Sequence, residues 1–87
     1  MNFHTFNKLT ERETEVLRLL SQEYSSKEIA EDLYLSKATI ESHRRNLLLK
    51  MQVKNVAGLI RKSFEVGILK IDNKIQQVGQ EMMMANN

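Results

Sequence analysis

The sequence predicts an all-α fold of four helices in one small domain, and three observations carry that expectation. Thr10 stands three residues before Glu13 and Ser25 three before Glu28, two hydroxyl and acid pairs of the kind that satisfy the otherwise unpaired backbone amides at a helix start. Ser36 opens a third stretch with another capping hydroxyl. Within these stretches the apolar residues recur at three- and four-residue intervals, which is the period of a helix with one buried side.

The first helix, opened by Thr10, carries Val16, Leu17, Leu20 and Leu19 toward a core, and Glu11, Glu13 and Glu15 suit the positive end of its dipole. A boundary falls at 22–25, where Tyr24 is placed to bridge two helices. The short second helix buries Ile29, Ala30 and Leu33, and the small Ala30 lets the third helix cross closely. Asp32-Leu33-Tyr34-Leu35 is read as the break before the helix that Ser36 begins. That third helix leaves near Val53-Lys54-Asn55. A fourth follows with Val56, Ala57, Leu59, Ile60, Ser63 and Phe64 serving two faces, one closing the core and the other left for a partner, and Gly67 stops it.

Two short helices joined by a tight break form a helix-turn-helix, a common packing unit in itself. The third helix makes it specific. At about 100° per residue, Ile40, Leu47 and Met51 share one side, flanked by His43 and Arg44. Ala38, Ser42, Arg45 and Leu49 point the opposite way, with Glu41 and Asn46 at the margins. One apolar stripe opposite small, polar and basic groups suits a helix that lies in a DNA major groove.

Composition narrows the alternatives. The chain has 87 residues, against roughly 100 or more for a typical domain, so a large catalytic cleft is not expected. Cysteine is absent, which removes disulfides, thiolate nucleophiles and Cys-based zinc sites. No paired carboxylates, nucleophile with base or glycine-rich phosphate loop stands at usable spacing, so no enzyme and no cofactor is expected. His43 has only His4 for company and is read as a packed histidine, not a metal ligand.

No apolar run approaches the roughly 18 residues of a membrane span, and Met1-Asn2-Phe3-His4 lacks the regions of a secretory signal, so a cytoplasmic protein with no membrane partner is expected. Charge is unevenly placed. Residues 1–35 hold four Lys and Arg against seven Asp and Glu, whereas residues 36–70 hold eight against two. The second half is the anion-facing half.

Leu9 to Leu17 (LTERETEVL), Lys27-Glu28-Ile29-Ala30, Leu35-Ser36, Thr39-Ile40, His43, Asn46, Lys50-Met51 and Leu59-Ile60 together closely resemble the LuxR-type (NarL/FixJ, GerE-like) DNA-binding domain. The match runs from Leu9 to Gly67. The resemblance implies a transcriptional regulator that binds double-stranded DNA as a homodimer, its third helix in the major groove and its fourth at the dimer contact. It implies base reading by Glu41, Ser42 and Arg45. Phosphate contacts would come from Ser26, Lys27, Ser36, Lys37, Thr39, Arg44 and Lys50, and dimerisation from Val56, Leu59, Ile60 and Ser63. RNA polymerase is a further candidate partner. The helical wheel selects the same outer face independently of the resemblance.

On this reading residues 1–8 form a leader, 9–67 the DNA-binding domain and 68–87 a C-terminal extension. The extension has two readings: a short extra helix capped by Asp72, with Ile68, Ile71, Ile75, Val78 and Met82 as an apolar seam, or a frayed tail. Because no receiver or ligand-sensing domain precedes the motif, the chain is either a stand-alone regulator or the output domain of a longer one. Two other functions compete. A promoter-binding end of a sigma factor shares the acidic opening helix, although the Lys50-Met51 ending and the apolar fourth helix favour the LuxR type. A helical protein-interaction module without DNA binding would use the fourth helix instead.

Overall fold

A computed structural model describes residues 9–71, which form four helices and no strand. They are α1 (Glu11–Ser21), α2 (Ser26–Leu33), α3 (Lys37–Met51) and α4 (Val56–Glu65). The leader with Phe3 and Phe6, the Asp72 cap and the seam positions Ile75, Val78 and Met82 lie outside the described residues.

Each helix starts where a side chain satisfies its free amides. Thr10 Oγ1 accepts from the Glu13 amide at 3.0 Å while Glu13 Oε1 accepts from the Thr10 amide at 2.9 Å. Ser25 and Glu28 repeat this reciprocal pair at 3.2 and 2.9 Å. Ser36 Oγ accepts from the Thr39 amide at 3.1 Å, and Asn55 Oδ1 accepts from the Gly58 amide at 2.9 Å. Each such cap contributes about 1 kcal/mol relative to alanine.

The helix ends are equally defined. α2 continues through Asp32 and Leu33, so the break is shorter than the sequence reading placed it. Tyr34 terminates the helix in the left-handed region at φ 57°, and the Leu35 amide reaches back to the Ala30 carbonyl at 2.9 Å. Only residues 34–36 then separate α2 from α3. α3 ends in the same manner, with Gln52 at φ 57° and the Val53 amide on the Leu48 carbonyl at 3.0 Å. At the end of α4 the cap residue is Val66, and Gly67 follows it at φ 84°. A Cβ there would meet nothing within 4 Å, so the dihedral and not the space favours glycine. The reversal sends the Leu69 amide back to the Ser63 carbonyl at 3.0 Å.

The core gathers one stripe from every helix: Val16, Leu17 and Leu20 from α1, Ile29 and Ala30 from α2, Ile40, Leu47 and Met51 from α3, and Leu59 from α4. α3 packs against the other three helices and is the central strut. Ala30 of α2 is buried in this core. Leu69 also enters the core, two residues past the boundary drawn at Gly67, whereas Ile71 is exposed. The apolar spacing of Ile68 and Ile71 therefore does not mark the buried residue of this segment. Tyr24 is partly exposed.

Candidate nucleic-acid interface

Because Ile40, Leu47 and Met51 are fully buried, the rotation of α3 about its own axis is fixed. The opposite side is consequently turned to solvent. Ala38, Ser42, Arg45, Asn46 and Leu49 are all exposed. An Arg45 Nη2 hydrogen donates to Ser42 Oγ at 3.0 Å, one turn earlier on the same stripe. That bond orients the guanidinium along the helix surface while leaving most of its five donors unused. Two of the three residues expected to read bases are thus exposed, one turn apart and mutually positioned.

Glu41 sits differently. It is half-buried where α3 crosses the start of α2, beside Ser26. Its carboxyl is held below the usual value of 4.5, first by the hydrogen bond with Ser26 and then, against some desolvation, by the charges of Arg44, Lys37 and Arg45. Arg44 Nη1 donates to the same Ser26 hydroxyl at 2.9 Å. Ser26 is buried, with 6% of its surface exposed. Its hydroxyl therefore ties α2 to α3 and is not turned outward to meet a phosphate. The sequence carries no sign of this, because Ser26 and Arg44 are 18 positions apart. His43 is half-buried at the margin of the inward face.

Lys27, Ser36 and Lys37 are exposed, and Thr39 is half-buried with its hydroxyl 2.8 Å from that of Ser36. These flank the outer stripe of α3 through the tight turn. Lys50 departs from expectation. Its Nζ is 2.7 Å from Glu13 Oε1, a carboxylate with a nearly buried side chain on α1. Lys50 lies about 140° around the helix from Arg45, so it is directed into this ion pair and not toward the groove face. Tyr34, with 95% of its surface exposed at the turn, adopts a left-handed conformation that is not legible in the sequence.

The Glu13 pair predicts an acid-sensitive core. Burial, the largest single influence on Glu13, raises its pKa, but the Lys50 ammonium and the Thr10 amide and hydroxyl together outweigh it and hold the value below 4.5. A depressed folded pKa adds stability that is complete above the unfolded value and lost as pH falls through the folded one. Stability is expected to fall below about pH 4.5 by this route. Lys50→Met is expected to move the acid-unfolding midpoint, read by circular dichroism, to higher pH. An unchanged midpoint counts against the pair.

On α4 the structure divides the residues assigned to dimerisation. Leu59 and Ser63 are fully buried, the Ser63 hydroxyl bonding the Leu59 carbonyl at 2.7 Å. Both face the protein's own core and are unavailable to a partner. Val56 and Ile60 are half-buried, and Ala57, Arg61 and Phe64 are exposed on the outer side. Lys62 Nζ donates to the Met51 carbonyl at 2.8 Å and fastens α4 to the end of α3.

Residues 7–63 match the family described as bacterial regulatory proteins, luxR family. The chain belongs to that family. The solved structure of the transcription factor GerE superposes on it with a TM-score of 0.70 at 34% identity, covering 74% of this chain and 96% of that one. The response regulator ChrA of a heme-sensing two-component system gives a TM-score of 0.68 at 30% identity, over 70% of this chain and 30% of that one.

Among curated relatives, the uncharacterized response regulatory protein YgeK of Escherichia coli is 40% identical over 65 residues, 75% of this chain and 44% of that protein. The transcriptional regulatory protein MctR of Rhizobium johnstonii is 46% identical over 61 residues, 70% of this chain and 28% of that protein. The chain thus spans less than half the length of these curated relatives. The luxR-family fold is a DNA-binding helix-turn-helix, and the family regulates transcription. Among the described residues no helix is long and apolar enough to cross a membrane.

Proposed function

We propose that this luxR-family domain binds double-stranded DNA sequence-specifically, with α3 in the major groove, as a homodimer in the cytoplasm. One observation carries the reading: the side of α3 bearing Ser42 and Arg45 is uncovered, while its other side is sealed in the core. Ser42 and Arg45 read base edges, and Glu41 reads from the flank if its Ser26 contact opens. Lys27, Ser36, Lys37 and Thr39 hold the phosphate backbone around them. The exposed side of α4 around Val56 and Ile60, extended by Ala57 and Phe64, meets a second copy. A symmetric pair reads two half-sites about one helical turn apart. YgeK and ChrA are named as response regulators, and on this reading the chain supplies the DNA-binding part of such a regulator, acting on RNA polymerase at its promoters.

Salt dependence tests the phosphate part directly. Each neutralised phosphate releases counterions, so affinity falls steeply as salt rises. Lys27→Ala is expected to weaken binding to all sequences alike and to reduce the slope of log affinity against log salt by about one. Fluorescence anisotropy on a labelled duplex measures both. Binding that ignores ionic strength would sink the proposal.

A further inference from the structure

We propose that Leu49 is a specificity residue that packs on the C5-methyl group of a thymine in the target site; this rests on the groove reading of α3. Leu49 is 76% exposed, whereas Leu47 and Met51 on either side are fully buried and Leu48 is packed against the core. A single exposed leucine on a protein surface is ordinary. The register is what distinguishes this one. On the helical wheel it lies about 20° from Ser42 and about 40° from Arg45, so it continues the same uncovered stripe.

Four residues beyond Arg45, Leu49 stands about 6 Å further along the helix, a little under two base-pair steps of roughly 3.4 Å. A leucine has nothing to offer a phosphate or a polar base edge. Among the groups that the four base pairs present in the major groove, the thymine methyl is the apolar one. Water excluded between a leucine and that methyl stabilises the complex through the hydrophobic effect. Because the other base pairs lack this group, the contact discriminates without a hydrogen bond.

The test uses a duplex selected from random DNA by the full chain, with each thymine replaced singly by deoxyuridine, which removes only the methyl. At one thymine, about two base pairs from the pair at which Arg45→Ala relaxes preference, the replacement is expected to weaken the wild-type chain about fourfold. Leu49→Ala and Leu49→Lys are expected to bind with no sensitivity to that replacement. Their circular dichroism melts are expected to stay near that of the wild type, since the side chain is 76% exposed. Specific binding with no methyl-sensitive thymine, or with equal sensitivity in Leu49→Ala, overturns the proposal and leaves groove reading intact. Failure of the wild-type chain to select any DNA overturns the groove reading, and this proposal with it.

Discussion

Leu59→Ala is expected to lower the unfolding free energy of the domain by about 2–5 kcal/mol, the range for truncating a buried leucine. Small domains are stable by only about 5–15 kcal/mol, so the variant should melt far earlier or fail to fold. The reason is geometric. Leu59 is the buried apolar side chain of α4 and lies with Leu69 against the stripes of the other helices. Removing its methyls opens a cavity that four short helices have little means to close. A seam between two copies would give a different signature, because stability derived from association depends on protein concentration. Chemical unfolding at two concentrations separates these cases. A Leu59→Ala loss that vanishes in dilute protein would place the residue at a dimer contact after all. Ala57→Glu is the companion variant: exposed on the outer side of α4, it should leave the monomer folded and weaken pairing on DNA.

That contrast shows what was legible in the letters. Caps are local, so Thr10 with Glu13, Ser25 with Glu28 and Ser36 announced three helix starts, and all three occur. The rotation of α3 was legible too, because Ile40, Leu47 and Met51 leave only one side for the core. α4 was harder. Its apolar and small residues surround much of the helix, and periodicity alone could not assign Leu59 and Ser63 inward and Ile60 toward the rim. Ser63 in particular reads as a surface residue, yet its hydroxyl is satisfied by the Leu59 carbonyl of its own helix, which removes the penalty of burying it.

Long-range polar pairs were the other blind spot. Lys50 with Glu13 and Arg44 with Ser26 join positions 37 and 18 apart. A cation on a basic helix looks from sequence like a phosphate contact. Only the fold shows that Lys50 neutralises a buried carboxylate and that Arg44 clamps α2 to α3. Both still serve DNA reading on the proposed function, since they fix the angle at which α3 is presented.

Arg45→Ala is expected to flatten the preference at one base pair by about 1–3 kcal/mol, or roughly 5- to 150-fold, while other positions of the site keep theirs. A guanidinium recognises guanine by placing two parallel N–H donors on O6 and N7, and the bond from Arg45 to Ser42 restrains the fork before DNA arrives. Arg45→Lys separates charge from geometry. It keeps the positive charge, so the salt dependence of binding should remain near that of the wild type. It cannot present two donors in a plane, so the base preference should not return. Ser42→Ala should have a smaller effect in the same direction, because it frees the guanidinium without removing it. Selection from random DNA with the wild type and the three variants reads all of this at once. If Arg45→Lys selects the wild-type site with undiminished preference, Arg45 acts as a point charge on the backbone. Base reading by this stripe would then have to come from other side chains on α3.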